Sequence, residues 1–308
     1  MNTQIFKLLK TLLAFVAISF FVYSVLIWLW GTYIPEKYAN NLNFKVGDSY
    51  TRFQEVKKYN NIDILFAGSS HAYRGFDPRI FEKAGYSTFN LGSTAQTPFH
   101  TKYILKHYID ELHPKWLIME VYPKVFTIDG VESSLDIISN NEDMNTLNFV
   151  LHHKNFRVLN TYIYSQIHNI FNIIPKDSIL KSSSYNTYIG KGYVERKMSF
   201  NKNRIYKRNE LVYLDSHFNS LEEIDKICKK RGVLPIYVVA PIDKKRYNSF
   251  VNLDEFDEKM KKFEIFYDFN ILMKMNDTLH FYDSHHLNQN GVELFNQELI
   301  KILTSLKK

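Results

Sequence analysis

Two short segments hold the residue types that acyl transfer through a hydroxyl nucleophile requires. Gly68-Ser69-Ser70-His71 stands near the start, and Asp283-Ser284-His285-His286-Leu287-Asn288 more than two hundred residues further on. A serine hydroxyl is a weak nucleophile until a base takes its proton, and an imidazole base needs a carboxylate to fix its tautomer and orientation. Ser70 follows the strongly apolar run 62–67, where a strand gives way to a loop. Asp283 and His286 lie three apart, just ahead of the last helical stretch. Ser70, His286 and Asp283 are therefore the candidate nucleophile, base and orienting carboxylate. His285 is the rival base, but the D-x-x-H spacing and the following Leu-Asn favour His286. Ser70 and Asp283 also have plainer uses, as a turn residue and a helix cap.

An alternating β and α rhythm must bring these segments together. Strands are expected at 62–67, 87–91, 116–121, 234–240 and 278–282. Between them lie helices opened by Asp77-Pro78 and closed by Gly85, from Thr97 to about Leu112, and over 217–231, capped by Ser216 or Ser220 and closed by Gly232. A charged helix over 254–263 and a closing helix over 288–306 follow. Such alternation implies about five parallel strands with crossover helices, and a ligand site at the carboxyl ends of the strands. The two chemical segments then cap the first and last strands. The rhythm stops over 124–212, which is rich in Asn, Tyr, Ile and Lys, with an amphipathic helical stretch near 145–173 and a polar segment from Lys181 to Lys191. That stretch reads as an insertion, either a lid over the sheet or a helical embellishment.

Composition narrows the class. With 308 residues, 45% hydrophobic and 23% charged, the chain is globular and long enough for one large α/β domain. Aromatics reach 16%, which suits a packed core and also surfaces that stack on sugar rings. The net charge of +7 comes from scattered Lys and Arg without a nucleic-acid motif, so no nucleic-acid partner is expected. An anionic bilayer or polymer is the milder reading. The one cysteine, Cys228, excludes an intramolecular disulfide and a Cys-based zinc cluster; its helical setting makes it a buried thiol. His152 and His153 lack carboxylate support, so neither a metal nor a cofactor is expected. His71 and Arg74 read as structural or rim residues, with Arg74 also able to meet an anionic substrate.

Thr11 to Trp30 is a charge-free run of twenty residues, enough to span a hydrocarbon layer of roughly 30 Å. Lys7 and Lys10 precede it and Trp28 and Trp30 sit at its far end, which keeps the N-terminus cytoplasmic and carries the rest across. A cleaved signal peptide competes, but its apolar part is about 7–15 residues long and ends in small residues. Here the run is longer and ends in Trp-Leu-Trp-Gly-Thr-Tyr, so an uncleaved anchor is expected. The layout is then 1–34 stub and anchor, 35–60 polar connector, and 61–308 an α/β domain carrying the insertion.

Three segments resemble the SGNH/GDSL hydrolases, a family of esterases, lipases and acyltransferases. Gly68-Ser69-Ser70 resembles its G-D-S block, with Ser70 at the nucleophile position and Ser69 replacing the aspartate. Asn90-Leu91-Gly92-Ser93-Thr94-Ala95 resembles N-x-G-x-x-G, with Ala95 at the oxyanion glycine. Asp283-x-x-His286 with Leu287-Asn288 and Gly291 resembles the last block. The likeness implies a flavodoxin-like three-layer sandwich, and an oxyanion hole built from Ser70, Gly92 and Ala95. The G-x-N-D block is missing: Glu120-Val121-Tyr122-Pro123 stands in its place, and neither Gln96 nor Tyr122 is an assured substitute for its asparagine. Gly-Ser-Ser-His, the missing asparagine and the anchor together look like the branch of alginate O-acetyltransferases and the D-alanyl transfer protein of teichoic acid synthesis. That resemblance implies an extracytoplasmic esterase or O-acyltransferase acting on acyl esters of envelope glycans, beside a multi-spanning acyltransferase. An inactive domain that binds polysaccharide or scaffolds such a partner is the alternative.

Overall fold

The computed structural model describes residues 3–34, 38, 45, 47–141, 143–173, 185–202 and 204–306. Numbered in chain order, the strands are β1 (Ile64–Ala67), β2 (Thr88–Asn90), β3 (Trp116–Glu120), β4 (Asn186–Gly190), β5 (Tyr193–Arg196), β6 (Leu234–Val239) and β7 (Phe266–Asp268). Five of them form one parallel sheet in the order β2-β1-β3-β6-β7, while β4 and β5 make a separate antiparallel hairpin. Leaving out the hairpin, this is the flavodoxin-like order, and the chain reverses direction across the sheet at β1.

Side-chain alternation along the strands explains the three layers. Leu65, Ala67, Leu117, Met119, Tyr237 and Val239 pack on one face, with helices Pro98–Leu112, Asp215–Lys230 and Leu253–Met260. Ile64, Phe66, Trp116, Ile118, Ile236 and Val238 pack on the other, with Pro78–Lys83 and Gln289–Leu306. Both faces are buried, so these strands read as continuous apolar runs. Asp77 caps its helix by accepting from Arg79 N–H, with Pro78 next, and Gly85 turns at φ +83°, as the sequence predicts.

Several expectations are corrected. The fifth strand is Phe266–Asp268, not 278–282. Phe281 forms only an isolated bridge with Leu287, so the second chemical segment sits in a closed turn rather than at a strand end. Helix Asp215–Lys230 begins at Leu214, which makes no side-chain cap bond, and Ser216 and Ser220 lie inside it. The helical stretch expected over 145–173 is two helices, Met144–His153 and Phe156–Ile170, broken at Lys154 with φ +55° and recapped by Asn155. Helix Gly47–Glu55 lies within the expected connector, of which 35–37, 39–44 and 46 lie outside the described residues. So do 181–184 of the polar segment. Thr3–Tyr33 is one helix of 31 residues, long and apolar enough to cross a membrane.

Candidate active site

Ser70 opens helix Ser70–Gly75 directly beyond β1, at the carboxyl edge where the strand order reverses. The turn depends on Gly68. Its φ is +129°, and a Cβ there would come within 2.6 Å of Glu120 O on the neighbouring β3. Only glycine combines that backbone with so close an approach.

The other half of the site is held in place by asparagines. Asn296, fully buried, donates to Gly75 O (2.6 Å) and accepts from Asp77 N–H (2.8 Å), which clamps the last helix to the Ser70 helix. Asn288 donates to Leu279 O (2.9 Å) and Ser199 O (3.1 Å) and closes the loop ahead of that helix. Within the loop, Asp283 Oδ1 accepts from the N–H groups of His285 and His286, both at 2.9 Å.

The outcome is a continuous chain of hydrogen bonds. Ser70 Oγ lies 2.8 Å from His286 Nε2, and His286 Nδ1 lies 2.9 Å from Asp283 Oδ2. With Nδ1–H donating to the carboxylate, Nε2 is the free acceptor for the serine proton. Burial would raise the Asp283 carboxyl, but the hydrogen bond from His286 and the rings of His286 and His285 hold it well below the ordinary carboxylate range. His285 has its Nδ1 on Ser284 Oγ (2.9 Å), and burial beside His286 brings it down to about 4. Asp283, His285 and His286 could each offer a metal a ligand atom, all within 4.8 Å, yet both nitrogens of His286 already have partners.

Behind the nucleophile lies a second network that the sequence reading did not include. Glu120, at the end of β3, accepts from Ser69 Oγ (2.8 Å) and Ser69 N–H (3.4 Å) through Oε2. Its Oε1 has no partner among the described residues, and burial pushes the carboxyl up to about 8 against the Ser69 bonds. Glu120 is thus protonated at neutral pH. His71 Nδ1 lies 3.0 Å from Ser69 Oγ and joins the same network. Burial, then the neighbouring His286 and His285, lower His71 well below the ordinary range. Its ring stacks on His286 with centroids 4.9 Å apart, and Tyr282 stacks on His286 at 5.3 Å. His71 is thus buried and packed directly on the His286 ring. One signal was visible: a lone carboxylate ending the apolar run Trp116–Glu120, since such groups are seldom buried without partners.

The loop after β2 is tied to the nucleophile turn by Ser93 N–H donating to Gly68 O at 3.0 Å. Ala95 has φ +56°, a left-handed conformation that favours glycine. Gly92 differs from expectation: its N–H is committed to Asn90 Oδ1 at 2.9 Å, and a Cβ there would lie 2.7 Å from Ala72 Cβ. The absence of a side chain there permits that close approach. Gln96 is buried with its amide on Thr101 Oγ1, so it does not face the site as a donor. Arg74 Nη1 donates to Asn186 Oδ1 of the hairpin at 3.2 Å, a rim position.

No protein-family profile and no curated protein matches the sequence. Among solved structures, the chain is similar to a GDSL-like lipase from Bacteroides thetaiotaomicron, with 12% identity, a TM-score of 0.41, and coverage of 83% of this chain and 98% of that one. It is also similar to a protein assigned as an acylhydrolase from Bacteroides fragilis, with 12% identity, a TM-score of 0.40, and coverage of 83% and 97%. Likeness at this level carries no argument, so the functional reading stands on the geometry of the site.

Proposed function

We propose that this chain is a membrane-anchored serine esterase or O-acyltransferase acting on acyl esters, acetyl above all, of cell-envelope glycans. The observation that carries the reading is the unbroken Ser70–His286–Asp283 relay at the switch point of the sheet. His286 takes the Ser70 proton, Ser70 attacks the ester carbonyl, and Asp283 steadies the imidazolium. The N–H groups of Ser70 and Ala95 stabilise the oxyanion; backbone donors serve without the absent asparagine side chain. Water resolves the acyl-enzyme to give an esterase, and a sugar hydroxyl gives a transferase. Thr3–Tyr33 anchors the domain outside the cytoplasmic face, where a multi-spanning acyltransferase is the fitting partner. The layout proposed is the anchor over 1–34, the connector over 35–60 and the domain over 61–308 with its insertion at 124–212.

The commitment of the Gly92 N–H to Asn90 favours a second reading, an inactive domain that binds polysaccharide or scaffolds a partner. Treating the full chain in detergent with an acyl-fluorophosphonate separates the two. A working relay gives a covalent adduct on Ser70 that Ser70→Ala lacks, together with acetate release from an acetylated sugar. A folded protein that takes no label and releases no acetate is the inactive domain.

A further inference from the structure

The insertion touches the anchor. Helix Phe156–Ile170 packs on Thr3–Tyr33 through Ile163 and Tyr164 against Ile27, and Tyr23 Oη donates to Asn160 Oδ1 at 2.6 Å. Between the two helices runs an apolar groove of about 720 Å³, with Phe20, Val25 and Trp28 on one wall and Ile163, Ile167 and Phe171 on the other. That volume is typical of small-ligand sites, about 300–1,000 Å³. Residues 158–173 contain no Asp, Glu, Lys or Arg. The segment nonetheless ends in exposed apolar side chains: Phe171 is 70% exposed, and Ile170 matches it.

We infer that 158–173 is a second membrane-embedded segment, and that the groove holds the acyl chain of a bilayer lipid. One wall of the groove belongs to the membrane span itself. Phe20 lies eight residues before Trp28, about 12 Å along the helix at 1.5 Å per residue. With Trp28 at the interface, the groove reaches into the hydrocarbon layer, where lipid chains are the solvent. Its lining is continuous with the lipid-facing side chains Phe20 and Phe21, which protein leaves uncovered. The occupant is the same chemistry that covers the rest of the span. Two attachments fix the orientation of the domain over the bilayer, which a single helix does not. This inference rests on Thr3–Tyr33 being a span and is independent of any reaction at Ser70.

The test uses the full chain in phosphatidylcholine–phosphatidylglycerol vesicles containing no other protein. Cys228 is fully buried, so an added cysteine is labelled selectively. An environment-sensitive fluorophore on Phe171→Cys should be quenched several-fold more by spin-labelled lipid chains than by aqueous iodide. On Val212→Cys, at a position 76% exposed and away from the anchor, the order should reverse. A phosphatidylcholine with a photoreactive acyl chain should crosslink to both groove walls, and Ile167→Trp, which fills the groove, should cut that yield several-fold while circular dichroism stays native. Iodide quenching at Phe171→Cys equal to that at Val212→Cys overturns the embedding. Crosslinking unchanged by Ile167→Trp overturns lipid occupancy of the groove. A Phe171→Cys probe that becomes shielded only when native membrane proteins are added also overturns it, in favour of a protein partner.

Discussion

Glu120→Gln tests the neutral carboxyl behind the nucleophile. In the folded chain its pKa moves from an ordinary 4.5 to about 8, chiefly by burial. At about 1.4 kcal/mol for each pH unit, the folded state holds that proton more tightly by about 5 kcal/mol, a ceiling that relaxation around a buried charge reduces. Because the folded pKa is raised, the contribution is complete below pH 4.5, falls as pH rises between 4.5 and about 8, and is flat above. Glutamine keeps a carbonyl oxygen for Ser69 and cannot ionise. The variant should therefore gain on the native chain by at least about 2 kcal/mol between pH 5 and pH 9. Asp136 and Asp257, both raised to about 6, titrate in the same window, but they do so in both proteins and cancel in the difference. Urea unfolding of the detergent-solubilised full chain at pH 5, 7 and 9 measures it. Parallel pH dependences for the two proteins would refute the assignment of Glu120 as a buried neutral acid.

Asp283→Asn keeps an oxygen for the N–H groups of His285 and His286 but no longer favours the Nδ1–H tautomer. Fluorophosphonate labelling of Ser70 should slow by about 10⁴-fold with little change in melting temperature, and a rate within tenfold of native excludes the relay. Gly68→Ala puts a Cβ 2.6 Å from Glu120 O at a φ of +129°. Backbone strain alone should cost about 1–3 kcal/mol, read as a lower unfolding midpoint, and an unchanged midpoint argues against a required glycine.

How far the fold can be read from sequence is clearest in a tripeptide that occurs twice. Phe266-Tyr267-Asp268 and Phe281-Tyr282-Asp283 are the same three residues, yet the first is β7 and the second a turn. The first finds a neighbour, pairing with β6 at Tyr237, Val238 and Val239. The second lies where Asn276 and Asn288 side chains supply its loop with partners. Nothing local distinguishes them. The strands β1, β3 and β6 were legible because burial on both faces leaves an unbroken apolar record. Ser70, His286 and Asp283 were legible because their chemistry constrains residue type. Glu120 and Gly92 were not, because their roles depend on which strand or helix lies alongside: β3 beside Gly68 in one case, Ala72 against the loop in the other.

The two networks around Ser70 are coupled by charge as well as by packing. At neutral pH Glu120 is protonated, and His71 and His285 are uncharged. Asp283, held well below the ordinary carboxylate range, is then the ionised carboxylate beside His286. In the proposed reaction, a proton passing from Ser70 to His286 would place its positive charge against that carboxylate, and the oxyanion would form without an ionised Glu120 beside Ser69. An aspartate at position 69 would have set a charge against Glu120; serine avoids it and donates instead. Burial both keeps this shell neutral and makes the fold sensitive to base. Resistance to urea should therefore fall as the pH rises from 4.5 and level off above about 8, labelling of Ser70 should fall only as the pH passes about 8, and Glu120→Gln should remove the carboxyl's share of both.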